Sequence, residues 1–355
     1  MSKELAKLRK QIDNIDKKIV TDLNNRSLIT LKIRGLKKKL GKGIYAPERE
    51  QEVLNSLSEI SKGPLTSENL KAIYREIMSS AIALQRPLKI AYLGPEATFS
   101  HLAAIKRFGS QQEYLVCDSI SDVFNEAEKG NADYGVVPIE NSIEGAVTHT
   151  MDMLIDSDLK ICSQAVMNIS HNLLAKCPKN KIKKVYSITQ VLGQCRIWLQ
   201  KNLPGVERID VSSTTKAAQI VQKEKLAGCI ASFLAAKVYK LNVLASGIED
   251  SPNNITRFLV LSKKDTPKTG NDKTSIVFSI KDKIGALHDM LVPFKKYMIN
   301  MTKIESRPSK KKAWDYYFFV DFKGHKDDKN ISRALKELDS QARFLKILGS
   351  YPNNE

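Results

Sequence analysis

Apolar residues recur along the first forty positions at alternating steps of three and four: Leu5, Leu8, Ile12, Ile15 and Ile19, then Ile29, Ile33 and Leu36. That spacing is an a/d seam and predicts one long helix over residues 3–40. Arg26 takes the a position seven residues after Ile19, and Lys37 follows eleven residues later. Eleven residues are close to three full turns, so both cations share one face. A cation at a core position costs several kcal/mol unless it is paired. One polar seam residue could merely set the register of a coiled coil; two cations point to a buried anion. Gly41 and Gly43 end this helix, and Pro47 opens a second in "APEREQEVLNSL". Thr66 or Ser67 caps a third through Leu70, Ile73, Ile77 and Ala81, with Gln85 one turn further on the same face. Three such helices cannot bury their seams as one small monomer, so a dimer is expected.

From Lys89 the period changes. "KIAYLG", "YGVVPI", "KVYSI", "AGCIAS" and "TRFLVLS" are short apolar runs alternating with helical segments, which predicts a parallel or mixed α/β sheet. One of these strands, Tyr134–Ile139, runs straight into Glu140, Asn141, Ser142, Glu144 and Gly145. Polar groups off the carboxyl end of a core strand mark a ligand site, or else an Asn/Ser helix cap with solvated glutamates. "KKDTPKTGND" (Lys263–Asp272) reads as a linker. Beyond it the pattern predicts strand Thr274–Ile280, helix Ala286–Tyr297, strands Met301–Arg307 and Tyr316–Phe322, helix Ile331–Gln341 and strand Phe344–Ser350. That order, βαββαβ, is ferredoxin-like.

Composition narrows the function classes. The 355 residues suit two or three domains. No apolar run approaches the ~20 residues of a membrane span, and "MSKELAKLRKQID" lacks the apolar core of a signal peptide. Five scattered cysteines without a CxxC pair imply reduced thiols, a cytoplasmic location, and neither a disulfide framework nor a zinc site. The net charge of +18 divides as +8 over residues 1–86, +3 over 87–263 and +7 over 264–355. Such a balance suits small polyanionic substrates as well as nucleic acid. No zinc finger, RRM signature or aromatic-basic interleaving is present, so neither nucleic acid nor membrane is an expected partner. The "KKK" runs at 37–39 and 310–312 read as solvated.

Arg9 in "LRKQID", Arg26 in "NNRSL", Lys37, Arg49 and Glu50 in "PEREQEVL", and Gln85 in "IALQ" together resemble the all-helical chorismate mutases. The resemblance implies one buried pocket, with Arg9 of one subunit reaching into the site of its partner. Chorismate is a dianion, and its rearrangement to prephenate is pericyclic, needing no nucleophile or proton carrier. Holding the compact conformer and donating to the ether oxygen as it gains charge would suffice. Arg9 and Arg26 would clamp carboxylates, Lys37 and Gln85 would face the ether oxygen, and Glu50 would accept a substrate hydroxyl. Arg49 has a plain surface-salt-bridge reading beside its substrate-binding one. Ala46 and Ala81 stand where some relatives carry polar residues.

"AYLGPEATFSHLAA", "VVPIENSIEGAV", "VYSITQVLGQCRIWL", "SSTTKAAQIV" and "GIEDSPNNITRFLVL" resemble the prephenate dehydratases across nearly all of residues 89–263. Ala97 replaces a usual glycine, and Ile188-Thr189 a usual His-Pro. Prephenate loses carbon dioxide and its ring hydroxyl, and aromatisation drives the step. A donor to the departing oxygen and anchors for two carboxylates are what the enzyme must supply. By the resemblance Thr256 in "NNITRF" is that donor, acting through a hydrogen bond. Asn141, Ser142, Ser187, Gln194, Ser213 and Thr214 would supply polar contacts. Arg257 would meet a carboxylate or organise the cleft, and Phe258 would wall the ring. Capping of the helix at "KAAQIV" is an equal reading for Ser213 and Thr214. Glu140 and Glu144 would shape the cleft. His101, His149 and His171 are expected in structural roles, since decarboxylative elimination needs no base.

"GALHDML" (Gly285–Leu291) and "KIESRPSKKKAWDYYFFVDF" (Lys303–Phe322) resemble the ACT domains that sense phenylalanine. The implied effector site comprises Gly285, Ala286, Leu287 and His288 on one side and Glu305, Ser306, Arg307 and Pro308 on the other. A glycine turn leading into a helix leaves N–H groups to receive a carboxylate. The whole chain is therefore expected to be multidomain, α and α/β. A helical chorismate mutase domain would span 1–87 and a two-subdomain dehydratase, similar to periplasmic binding proteins, 88–263. A linker at 264–273 and a ferredoxin-like ACT domain at 274–355 would complete it. The resemblance implies chorismate and prephenate as substrates, L-phenylalanine as effector, a homodimer or homotetramer, and no cofactor. Two rival readings are a monofunctional dehydratase with a helical dimerisation arm and a non-catalytic amino-acid sensor.

Overall fold

The computed structural model describes residues 3–40, 44–280, 283–309 and 316–353. Gly41, Gly43 and the basic run at 310–312 lie outside the described residues. The chain divides into two compact units, one formed by residues 1–88 with 108–113 and the other by the remainder.

The first unit is helical: α1 (Lys3–Lys39), α2 (Pro47–Ile60) and α3 (Ser67–Ala83). Pro47 begins α2 where its missing N–H has no helical partner to lose, and Thr66 caps α3 by accepting from Asn69 N at 3.2 Å. The segment 108–113 is bound to α3: Glu76 accepts from Ser110, and Gln112 Nε2 donates to Ser79 O at 2.9 Å. A 37-residue helix is about 55 Å long, beyond the reach of α2 and α3. The seam is accordingly open, with Ile12 and Ile15 57% and 56% exposed.

The second unit begins with β1 (Lys89–Leu93), α4 (Phe99–Phe108), β2 (Glu113–Cys117), α5 (Ile120–Lys129), β3 (Tyr134–Asn141), β4 (Gly145–Ala146), α6 (Thr148–Asp156) and β5 (Lys160–Asn168). The chain then crosses to a second sheet through β6 (Asn172–Ala175), β7 (Lys184–Ser187), α7 (Thr189–Gln194), α8 (Arg196–Asn202), β8 (Glu207–Asp210), α9 (Thr214–Lys223), β9 (Ala227–Ala231), α10 (Phe233–Val238) and β10 (Asn242–Ser246). It returns as β11 (Ile255–Ser262). The first sheet runs β2-β1-β3-β11-β5 with β4 beside β3, and the second runs β10-β6-β9-β7-β8. Both are mixed: β1 and β3 are parallel, whereas β11 is antiparallel to β3 and β5. Two crossings, β5 to β6 and β10 to β11, thus join two α/β layers, and polar residues gather at those crossings.

The last sheet comprises β12 (Asp272–Ser279), β13 (Met301–Pro308), β14 (Tyr316–Lys323) and β15 (Phe344–Pro352), with helices α11 (Ala286–Lys296) and α12 (Lys329–Gln341). Its antiparallel order is β13-β14-β12-β15, the ferredoxin-like arrangement with β13 at an edge. Ile276, Phe278, Phe318 and Val320 face the helices with Met290, Phe294 and Leu335. Val277, Phe319, Leu348 and Tyr351 face the other way, sharing a core with Ile139, Met151, Ile161 and Leu259 of the first sheet. Every residue of β12 is therefore buried. The stretch Lys263–Asp272, expected as a linker, is held by side-chain bonds. Thr266 Oγ1 donates to Cys162 O at 3.1 Å, and buried Asp272 accepts from Thr269 N at 2.9 Å. Its polar residues serve as turn bonds, which composition alone does not distinguish from solvation.

Candidate functional site

Thr256 stands near the start of β11, directly opposite Asn141 at the end of β3. Asn141 Nδ2 donates to Thr256 Oγ1 at 2.8 Å and to Asn254 Oδ1 at 2.7 Å, while Asn141 Oδ1 accepts from Ile143 N and Glu144 N at 2.9 and 3.0 Å. The amide is thus saturated and fixed. Because Thr256 Oγ1 accepts through a lone pair, its O–H stays able to donate. Ser142 holds the returning strand: its Oγ donates to Asn253 O at 2.7 Å and accepts from Ile255 N at 2.9 Å. Asn254 Nδ2 donates to Gln194 Oε1 at 3.1 Å, and Gln194 Nε2 donates to Glu144 Oε1 at 3.3 Å. One polar chain therefore links β3, β11 and α7 across the two layers. Asn254, His171 and Glu144 belong to it, and only Glu144 was expected to border the cleft.

His171 lies at the other crossing, 1% exposed, with Nε2 2.9 Å from Gln194 Oε1. That acceptor fixes the tautomer with the proton on Nε2. Burial pushes its pKa below the usual histidine value, against smaller opposing effects of Gln194 and Glu249. A neutral imidazole that orients Gln194 fits the structural role expected of it. Ala97 adopts a left-handed φ of +67°, the geometry that favours the glycine it replaces. Its O accepts from Ser232 Oγ at 2.8 Å, and its side chain joins the core of the second layer. Thr189 donates to Asp210 Oδ1 at 2.8 Å, which anchors the loop where His-Pro is usual.

Three expected contacts are placed differently, and Ser213 and Thr214 take the capping reading that was equally open to them. Arg257 is turned away from the cleft: Nη2 donates to Asp321 Oδ2 on β14 at 2.7 Å, and Nε forms an ion pair with Glu140 Oε1 at 3.1 Å whose angle falls short of a hydrogen bond. Alternation along a strand sends neighbours to opposite faces, so Arg257 cannot accompany Thr256. Burial opposes its charge, yet Asp321, Tyr351 and Glu140 together raise its pKa further. Ser187 is fully buried, its Oγ donating to Ile230 O at 2.8 Å, so it ties β7 to β9. Phe258 is 2% exposed and lies within the core. Ser213 Oγ accepts from Lys216 N at 2.9 Å and caps α9, with Thr214 buried behind it.

In the helical unit, Gln85 is buried and its Nε2 donates to Ala81 O at 3.3 Å. Lys37, half-buried, donates to Ile44 O at 2.9 Å, and Glu50 keeps one carboxylate oxygen out of solvent. Arg26 is half-buried on α1 and Arg9 is exposed. Arg9 and Arg26 are seventeen residues, about 25 Å, apart along one helix, too far to meet one small molecule from the same chain. Arg49 forms an exposed ion pair with Glu52 at 2.7 Å, the surface reading of that residue.

In the last sheet and its helices, Gly285 has φ +76° at the N-cap of α11, and no atom would meet a Cβ there. Ala286 is buried, Leu287 packs against the helix-side core and His288 is exposed beside Asp289. β13 alternates: Glu305 and Arg307 are half-buried, Ser306 and Pro308 exposed. Arg307 does not face outward for an effector; it grips Asp152 on α6 with two bonds of 2.9 Å. Lys303 bonds to Glu140, and Lys346 Nζ donates to Leu154 O, Ile155 O and Ser157 O at the end of α6 at 3.1, 2.8 and 2.6 Å. None of these partners is visible from local sequence, because they arise where two sheets stack.

Among the described residues no helix is long and apolar enough to cross a membrane. The prephenate dehydratase family matches residues 90–266, the chorismate mutase type II family residues 8–86 and the ACT domain family residues 274–340. A bifunctional chorismate mutase/prephenate dehydratase of Aquifex aeolicus is 50% identical over 98% of both chains. One of the same description from Pseudomonas aeruginosa is 43% identical, also over 98% of each. A prephenate dehydratase from Arthrobacter aurescens, solved in complex with L-Phe, shares 31% identity at a TM-score of 0.70, covering 75% of this chain and 90% of that one.

Proposed function

The chain belongs to the bifunctional chorismate mutase/prephenate dehydratase family, and on that premise we propose how its residues divide two consecutive reactions. The enzyme rearranges chorismate to prephenate, then decarboxylates and dehydrates prephenate to phenylpyruvate, under feedback by L-phenylalanine. The observation that carries the second step is the Asn141–Thr256 bond in the cleft between the two α/β layers. As the prephenate carboxylate leaves as carbon dioxide, its bonding pair aromatises the ring and the ring C–O bond breaks. The Thr256 O–H donates to the departing oxygen, a hydrogen bond that strengthens as negative charge develops there. Asn141, Ser142 and Gln194 orient the cleft, and Ser213 and Thr214 at the start of α9 offer polar contacts to a carboxylate.

For the first step Arg26, Lys37, Glu50 and Gln85 form one pocket and Arg9 comes from a second copy. The length of α1 and its open seam support that arrangement and with it a dimer. Arg49 stays at the surface. The effector binds where the Gly285–His288 turn of one ACT domain meets Glu305, Ser306 and Pro308 of its neighbour. Edge strand β13, which pairs with β14 alone among the described residues, would gain a second partner. A cytoplasmic location accords with five unpaired cysteines.

The test is to supply chorismate to the purified protein and follow both products. Prephenate should appear first and phenylpyruvate after it. Arg26→Ala should abolish the first conversion and leave turnover of added prephenate largely intact. Survival of chorismate turnover in that variant would reduce the helical unit to a dimerisation arm.

A further inference from the structure

Thr256 and Asn141 face each other across antiparallel strands, and so do their chain neighbours Arg257 and Glu140. The first pair faces the cleft and the second faces the ACT sheet, one peptide unit away on each strand. The ACT sheet offers a complementary pair, since Asp321 on β14 and Lys303 on β13 are also opposite one another. Asp321 accepts from Arg257 at 2.7 Å, and Lys303 bonds to Glu140. Three ion pairs and the cross-strand pairing of Lys303 with Asp321 thus close a ring that joins two strands of each sheet. The side chains of Arg257 and Asp321 are only 9% and 8% exposed, and those of Lys303 and Glu140 17% and 29%. Attraction in such a ring is little screened by salt. Ser275 Oγ donates to Asp321 Oδ1 at 2.6 Å and lies 2.7 Å from the Tyr351 hydroxyl, which braces the carboxylate from behind. The β3–β11 ladder has a register irregularity between Arg257 and Phe258, next to Thr256. The extra residue is Ile139 of β3, because β11 stays in register with β5 through Thr256, Arg257 and Phe258. Main-chain pairing holds β3 least at that bulge, and the side-chain ring adds a tie to Glu140 beside it.

We propose that Arg257 and Glu140 are positioning residues for the dehydratase reaction: pinned by Asp321 and Lys303 of the ACT sheet, they hold Thr256 and Asn141 at bonding distance in the cleft. The inference rests on the cleft being the dehydratase site. It makes the ACT domain part of the machinery that sets Thr256. It also gives β13 a direct connection to the reacting group, because Lys303 precedes Glu305 by two residues on that strand. A displacement of order 1 Å at a reacting group can cost ~10²-fold in rate.

Lys303→Met opens the ring at a member outside the cleft. The expected result is a fall of about tenfold in kcat on prephenate, within the range for residues that couple two sites. KM should change less than about threefold, the mutase rate should stay at the wild-type value, and Lys303→Arg should restore kcat. Asp321→Asn should lower kcat in the same way; if that buried change prevents folding, the Lys303 pair still decides. A ring with only a structural role would lower the melting temperature and leave kcat per folded chain unchanged, and that outcome overturns the proposal. A wild-type chain inert toward prephenate would instead overturn the dehydratase reading, and the proposal with it.

Discussion

Thr256 is 9% exposed and its oxygen is the acceptor for a saturated amide, so the near-isosteric change to valine alters chemistry more than packing. Thr256→Val should lower dehydratase kcat by ~10²-fold or more, the scale of one lost donor to a developing charge. A steady-state assay on prephenate, with the mutase rate as internal standard, checks this; an unchanged rate would remove Thr256 from the mechanism. Titration offers a second test at this scale. His101 and His171 are both buried, and burial lowers the pKa of each. The unfolded chain then takes up protons that the folded chain refuses, so stability is full above about pH 6.5 and falls below it. Urea melts at pH 7.5 and 5.5 should show that loss, and His171→Gln should reduce it. Adjacency in "NNITRF" suggested that Thr256 and Arg257 work on one ligand, but the two-residue period of a strand separates them. Ala97 shows the converse: its left-handed φ costs roughly 1–2 kcal/mol, offset by a methyl group buried in the second layer.

At the level of elements, hydrophobic period located the long helix, the core strands and the ferredoxin-like order. The α1 range, Lys3–Lys39, and the cap at Thr66 were legible because each depends on local spacing. Strand β5 was not: its role is to pair with β11 on one side and to stack beneath β15. That stacking depends on a close approach at Gly349, where a Cβ would lie 2.2 Å from Ile161 O. That oxygen belongs to the main chain and cannot swing aside. Gly349→Ala should therefore destabilise the second unit by about 1–3 kcal/mol, the usual cost of overpacking. A shift of the urea midpoint measures it, and an unchanged midpoint would show that the two sheets separate readily.

At the scale of the whole molecule, one face of the ACT sheet completes the core of the first α/β layer through Val277, Phe319, Leu348 and Tyr351. A chain ending at Lys263 would leave Ile139, Met151, Ile161 and Leu259 open to water. It should melt at a lower temperature than the full chain and bind a hydrophobic dye; a midpoint equal to the full chain's would refute the shared core. Phenylalanine titrated into that truncation should produce no heat, as the residues proposed to meet it are gone. The sequence by itself determined what depends on residue type and local period. It gave the long helix, five core strands, the ferredoxin-like order of the last sheet and, by resemblance, the motif residues Asn141, Gln194 and Thr256. Only the tertiary structure decided which face each of those strands turns to which neighbour. It sent Arg257 and Arg307 to Asp321 and Asp152, 64 and 155 residues away in the chain, and it set the bonds that hold the stretch Lys263–Asp272. The physical reason is that an ion pair or a stacked face is a relation between distant segments. Local propensity carries no term for it until the sheets have met.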